Sequence, residues 1–489
     1  MNQSNLLKDN VNFSLAAKTF AGIKNDSRQV KTGDLFVAIT CDDVISHVIL
    51  ALKNGAAGVV IESGILVQNE SRLPKALYIP VENTRQALSE LAQLFYPKQP
   101  KAIAAVTGTN GKSSVATFVR QIWGLFGLKA ASFGTLGLEL TQNHPPEISL
   151  PKLTTPDAIS LHQLLQALHE AEINHFIFEA SSHGLDQYRL HGAKVTVAAF
   201  TNLTQDHLDY HGSMEAYFEA KSKLFTEVLT AEGTAVINLD SSYAQSLILL
   251  TKSRGIKVVT YGIETPADVM ARNISLHNHD IEFDIVTQDK IWEAIRIPVV
   301  GNFQVENILC AIGMVMAEGI TLDAIMNVLP HLTSALGRMQ LAGTTTSGAA
   351  IYVDYAHTPD ALIRALQALK DHLPEEGKLH VVFGCGGNRD TGKRASMGEA
   401  ANECADVVFV TDDNPRLEDP SFIRAQVLSH CPKGQEVADR FVAISQAIQG
   451  LGPQDILLIA GKGHEIGQII RNDVIPFDDV QVVRQILGS

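Results

Sequence analysis

The sequence predicts an α/β protein of three domains built on parallel sheets. Three observations carry that expectation. Short apolar runs alternate with helix-patterned stretches along most of the chain. A glycine-rich turn joins one such run to a helix near its centre, and in the last third each apolar run is followed by a polar loop rich in glycine or asparagine. The length of 489 residues suits about three domains of roughly 150 residues each.

Residues 1–98 form the first predicted domain, with short strands at 34–39 (DLFVAI) and 58–61 and a helix near 46–54. The segment YPKQP at 96–100 reads as a linker, because two prolines and two polar residues interrupt the apolar periodicity. The second domain, 99–335, opens on AIAAVTGTNGKSSVATF (102–118), a buried strand, a turn and a helix beginning near Gly111. Further strands are expected at 176–179, 195–200 and 235–238, with a helix over 161–171. Between 269 and 300 strict alternation (ISLHNHDIEFDIV) predicts an antiparallel hairpin region. The third domain, 336–489, alternates strands at 350–354, 379–383, 407–411 and 456–460 with helices at 359–372, 393–404 and 420–429.

A net charge of −14 argues against non-specific nucleic-acid binding and against docking on anionic membranes. No apolar stretch approaches the ~20 residues of a membrane span, and residues 1–10 carry neither a basic nor an apolar leader segment. Cys41, Cys310, Cys385, Cys404 and Cys431 are scattered without a CxxC pair, which fits a reducing, cytoplasmic setting. Cys385 lies in a glycine-rich turn with no base beside it, so packing is its expected role.

The turn TGTNGKS points to a nucleotide-phosphate site. Gly108, Thr109, Asn110 and Gly111 supply backbone N–H groups at a helix start, Lys112 reaches the outer phosphates, and Ser113 offers a hydroxyl to Mg²⁺. Glu179 ends a predicted strand, a suitable place for a carboxylate ligand to a hard cation. His207 lies in the polar cluster TNLTQDHLDYHG (201–212) and is a candidate metal ligand; His211 is left unassigned. Lys221, in EAKSKLF, reads from spacing alone as a surface lysine on a helix. Arg389 and Arg416 sit in successive C-terminal loops and could fork carboxylates. Asp413 and Asn414 beside Arg416, with Glu465 after GKGH, would suit a ligand carrying both ammonium and carboxylate groups.

In order along the chain, DSRQVKTGDLFVAI, TGTNGKS, EASSHGL, TNLTQDHLDYHG, EAKSKLF, GNFQVENILCAI, GRMQ, VDYAHTPDAL, FGCGGNRDTGKR, TDDNPR and AGKGHE resemble the motifs of the Mur ligases, over nearly the whole length. Within that family the pattern is similar to the tripeptide synthetases of peptidoglycan precursor assembly. The first block and the DDNPR loop set it apart from folylpolyglutamate synthetase, which shares the central domain. The resemblance implies a uridine-nucleotide-binding first domain, an ATP-binding second and a Rossmann-like, amino-acid-binding third. It also implies ATP-dependent addition of meso-2,6-diaminopimelate to UDP-N-acetylmuramoyl-L-alanyl-D-glutamate, through an acyl phosphate, by a cytoplasmic monomer.

Residue by residue, the resemblance makes Lys112, His207 and Lys221 catalytic. It gives Lys221 a CO₂-derived carbamate and makes Ser113, Glu179, His207 and that carbamate the magnesium ligands. ATP contacts fall on Gly108, Thr109, Asn110, Gly111, Lys112, Ser113, Ser114, Asn302, Arg338, Asp354 and His357. Ser27, Thr154, Thr155, Ser181, Gln187 and Arg189 match positions that bind the muramoyl dipeptide nucleotide. Arg389, Asp413, Asn414, Pro415, Arg416, Gly461 and Glu465 match the diaminopimelate pocket. Two stretches depart from the family pattern. TCDDVISH at 40–47 is shorter than its counterpart, so uracil-side contacts are not carried over from it, and Ser113-Ser114 replace the more usual threonines.

Overall fold

The computed structural model describes residues 19–142, 150 and 153–488; the reading of residues 1–10 falls outside them. The described chain forms two compact units, one ending at Lys112 and resuming over Trp123–Val259, the other made of Ser113–Ile122 and Thr260–Ser489.

The first unit holds two sheets. Ile23–Lys24, Leu35–Val37, Gly58–Glu62 and Tyr78–Val81 pair in that order, all parallel. The helix Thr84–Phe95 is started by Asn83, whose side chain accepts from the N–H groups of Arg85 and Gln86. It packs Leu88, Leu91 and Ala92 against Ile23, Val37 and Val60, and Ala158 and Ile159 join the same core.

The second sheet is ten-stranded, and six neighbouring strands of it, all in this unit, run Leu229–Asn238, Val195–Phe200, Ala102–Thr107, His175–Glu179, Ala130–Gly134, Gly137–Leu140. The pairings among these six are parallel except the last. Ala102–Thr107 is flanked on both sides, and its near-continuous apolar run is that of a strand covered on both faces. The carboxyl ends of the three middle strands carry the phosphate loop, Glu179 and the 201–212 cluster, so topology alone gathers the predicted residues at one edge. The strand expected at 235–238 begins earlier, at Leu229, after a π-helical turn Leu224–Val228 that the sequence pattern does not show.

In the second unit the alternating region is three antiparallel strands, Val269–Leu276, Ile281–Val286 and Ile291–Ile297, two successive hairpins where alternation predicts an antiparallel hairpin region. The C-terminal sheet has the order Gln340–Thr344, Ala350–Asp354, Ile456–Ala460, Leu379–Phe383, Val407–Val410, Gly434–Glu436. Its first pairing is antiparallel and the others parallel. Ile456–Ala460 therefore lies between two strands far earlier in the chain, and the loops at 355–358, 384–390, 411–416 and 461–465 share its carboxyl edge. A short hairpin, Gly467–Ile470 with Asp473–Pro476, adjoins that edge.

Candidate active site

Gly108 has φ +149° and lies so close to Thr201 that an added Cβ would stand 1.9 Å from its Oγ1. Only glycine fits there. Thr201 Oγ1 in turn donates to the Asn110 carbonyl at 2.7 Å, and Asn110 N–H donates to Asn202 Oδ1 at 3.0 Å. The loop is thus held by the neighbouring strand end. Lys112 opens the helix Lys112–Leu125 and donates back to the Gly108 and Thr109 carbonyls at 2.9 and 2.8 Å.

Lys221 departs most from its bare sequence reading. It is not at the surface: 2% of it is exposed. The helix Met214–Lys223, capped by Ser213, turns it inward, where Nζ donates to the Gly108 carbonyl at 2.8 Å and sits 4.5 Å over the Tyr217 ring. Burial, reinforced by the nearby Lys112 ammonium, pushes its amine well below the ordinary lysine range against the pull of Asp206. This placement overturns the reading of Lys221 as a surface lysine.

Glu179 is also buried, with Oε1 accepting from Thr135 N at 2.9 Å and Oε2 from Thr135 Oγ1 at 3.3 Å. A Cβ at Gly134 would fall 2.1 Å from Oε1, so that glycine makes room for the carboxylate. His207 is exposed, in the left-handed region at φ 51°, with its ring edge-on to His183 at 5.0 Å. Among the described residues no three His, Cys, Asp or Glu side chains make a metal cage. The donor set still suits Mg²⁺, which takes one or two protein oxygens and completes its shell with water and substrate phosphates.

Most of the residues expected to bind the muramoyl dipeptide are tied together by hydrogen bonds. Thr155 Oγ1 donates to the Glu179 carbonyl and accepts from Ser181 N, so it braces the backbone. Arg189 donates to the Thr155 carbonyl at 2.8 Å and to Gln187 Oε1 at 2.6 Å. Gln187 donates to Tyr210, whose hydroxyl donates to Asp186. Thr154 and Thr135 share a hydroxyl contact, and Ser181 caps the short helix Ser182–Asp186. Ser27 is buried against His47 Nδ1 at 3.3 Å. Sequence reasoning missed Thr135 and Tyr210; the tyrosine lies inside the quoted DHLDYHG motif, which was the available signal.

In the second unit, Asp354 is buried with both oxygens occupied, by Met339 N at 2.7 Å and Ala356 N at 2.8 Å. It thereby fixes the turn that presents Arg338, which lies 5.1 Å over the Tyr355 ring. Asn302 and His357 are exposed. Cys385 is buried and its thiol is pushed up to about 12 by burial, in keeping with packing rather than nucleophilic chemistry.

At the C-terminal edge, Asp413, Asn414, Pro415 and Gly461 are buried, Arg416 and Glu465 half-buried and Arg389 exposed. Arg416 has φ 52°, an uncommon conformation for a residue with a side chain, and donates to the Gly387 carbonyl at 2.8 Å. Its backbone is clamped by the hairpin, through Arg416 N to Ile469 O and Arg471 N to Arg416 O. Asn414 donates to Glu465 Oε2 at 2.9 Å and accepts from Ile469 N at 2.8 Å. Its amide is consumed within the protein, orienting Glu465.

A model described as the Mur ligase middle domain matches residues 106–315, and one described as Mur ligase, glutamate ligase domain matches 337–463. A protein of Rhizobium meliloti named UDP-N-acetylmuramoyl-L-alanyl-D-glutamate–2,6-diaminopimelate ligase is 43% identical over 471 residues, covering 96% of this chain and 94% of that one. The chain belongs to the Mur ligase family. A second Mur ligase of the same name, from Zymomonas mobilis, is 44% identical over 95% of this chain and 94% of its own length. A solved structure bearing that name aligns with TM-score 0.72 and 36% identity, over 96% of this Mur ligase and 95% of the solved chain. No helix among the described residues is long and apolar enough to cross a membrane.

Proposed function

We propose that this chain is a cytoplasmic, ATP-dependent ligase that joins meso-2,6-diaminopimelate to the D-glutamate side chain of UDP-N-acetylmuramoyl-L-alanyl-D-glutamate. One observation carries the reading: full-length relatives of that name span both the phosphate loop and the 413–416 and 461–465 loops. The domain roles follow the three blocks, 1–98 for the uridine nucleotide, 99–335 for ATP and 336–489 for the amino acid.

The substrate carboxylate attacks the γ-phosphorus in line and ADP departs. The neutral diaminopimelate amine then attacks the acyl phosphate carbonyl, and the tetrahedral adduct loses a proton from nitrogen to solvent and expels phosphate to leave the amide. Lys112, Gly108, Thr109, Asn110, Gly111 and Ser114 cradle the phosphates, and Asn302, Arg338 and His357 take the rest of ATP, with Asp354 holding the Arg338 turn. Ser113 and Glu179 would hold one Mg²⁺, and His207 with Lys221 a second, to offset phosphate charge. Lys221 serves as a carbamate: its neutral amine adds to the carbon of CO₂, a C–O bonding pair moves to oxygen, and a proton leaves to solvent. Burial of that amine supports this step, since a protonated lysine cannot add. Ser27, Thr154, Ser181, Gln187 and Arg189 bind the nucleotide dipeptide, braced by Thr155. Arg389 and Arg416 take the far carboxylate of diaminopimelate and Glu465 the far ammonium, on a frame of Asp413, Asn414, Pro415 and Gly461.

The test is phosphate release and product mass with the UDP-dipeptide, ATP, Mg²⁺ and a panel of amines. Diaminopimelate should exceed lysine in kcat/KM by on the order of 100-fold, because lysine leaves the two arginines without a carboxylate. Equal use of lysine, or ATP cleavage never coupled to an amide, overturns the proposal.

A further inference from the structure

The turn after Ile456–Ala460 contains a lysine that the motif reading passes over. Lys462 is 0% exposed, between Gly461 at φ +111° and Gly463 at φ +55°. An ammonium has three N–H donors, and this one places all three: Asn414 Oδ1 at 3.2 Å, Glu465 Oε2 at 3.0 Å and the Gly467 carbonyl at 2.7 Å. None remains for a ligand. Glu465 Oε2 receives both Lys462 and Asn414, while 35% of the Glu465 side chain stays exposed. Oε1 is the Glu465 oxygen that neither Lys462 nor Asn414 engages.

Buried charge surrounds this turn. Arg440 and Asp479 form a fully buried ion pair, with N–O contacts of 2.8 Å, and Arg440 also donates to the Ala460 carbonyl. Burial raises the Asp413 carboxyl above the ordinary carboxylate range, against the pull of Arg440 and Lys462. An uncompensated charge is costly in such surroundings, so Glu465, whose side chain is partly exposed, is the carboxylate placed to meet a ligand cation.

Resting on the ligase reading above, we propose that Lys462 is a positioning residue for amino-acid selection: it locks Glu465 and Asn414 so that Glu465 accepts the ammonium remote from the reacting amine. Lys462 acts through Glu465 and touches no substrate itself.

The experiment compares kcat/KM for meso-diaminopimelate with that for 2-aminopimelate, which keeps the far carboxylate and lacks the far amine. The wild-type chain should favour diaminopimelate by at least about tenfold, the worth of a charge-assisted hydrogen bond. Lys462→Met should collapse that ratio, mainly through a higher KM for diaminopimelate; Lys462→Gln serves where the first variant fails to fold by thermal melting. Glu465→Gln should collapse the ratio equally, and the double variant no further, because both residues serve one interaction. A preserved ratio in the folded Lys462 variant overturns the proposal, as do losses that add in the double variant. A wild-type chain that couples neither amine to the UDP-dipeptide overturns the ligase reading instead, which separates the two failures.

Discussion

Lys221 and Lys462 are both buried, at 2% and 0% exposure, yet their surroundings differ in kind. Lys221 donates to the Gly108 carbonyl, with the cation of Lys112 and the carboxylate of Asp206 acting on it in opposite senses. Lys462 meets a carboxylate, an amide oxygen and a carbonyl. Burial that outweighs a nearby carboxylate drives an amine toward its neutral, nucleophilic form, whereas an amine bonded to an acid, an amide and a carbonyl braces those neighbours. On the proposals above, one fold uses the same side chain as a reagent in one place and as a brace in another.

The sharpest way to break this contrast is to remove the reagent. Lys221→Ala should lower kcat by about 10²- to 10³-fold, the scale seen when one charge-stabilising group leaves an active site. A small carboxylate such as acetate should restore part of it, because the carbamate proposed for Lys221 is a carboxylate-like anion on a stalk. Steady-state assays with and without the additive decide the matter, and full unaided activity would show that Lys221 is only packing.

How much of this was legible beforehand differs between scaffold and site. The strands Ala350–Asp354, Leu379–Phe383 and Ile456–Ala460 coincide with their apolar runs, since buried strands admit little else. The hairpin Gly467–Ile470 with Asp473–Pro476 left no such mark, because its second strand is exposed throughout. Lys221 was invisible to spacing for a related reason. The inward face of Met214–Lys223 carries Lys221 and Ser222 beside Tyr217 and Ala220, which blurs the helical period. Polar motif residues posed the opposite difficulty. Thr155, Asp354 and Asn414 look like ligand contacts in sequence, yet each is occupied by protein donors or acceptors, and only coordinates reveal which way a polar atom faces.

A third buried base tests the premise that burial drives a base toward its neutral form. His162 is 0% exposed, and its Nε2 lies 3.0 Å from the His191 carbonyl. Burial lowers its pKa from 6.5 to about 4, against the smaller upward pull of that carbonyl. Between those values the unfolded chain binds more protons than the folded one. The contribution is therefore complete above pH 6.5 and is lost as pH falls toward 4, by about 3 kcal/mol in all. Urea midpoints measured across that window should fall less steeply for His162→Asn than for the parent. Identical slopes would mean that His162 is protonated in the fold, and would weaken the same argument for Lys221.

The smallest expected effect concerns the brace. Burial raises the pKa of Glu465, but Asn414 and Lys462 outweigh it and hold the carboxyl below its ordinary value. Between pH 8 and about 5.5, above that range, KM for diaminopimelate should then carry no step from this residue. Glu465→Gln retains an oxygen for Lys462 and Asn414 while removing the charge offered to the far ammonium. KM should rise about tenfold, the worth of roughly 1.4 kcal/mol, with a lesser change in kcat. Titration of initial rates against diaminopimelate at fixed ATP measures both quantities. If KM stays put in the glutamine variant, the far ammonium is bound elsewhere, and Lys462 is a buried cation of a different purpose.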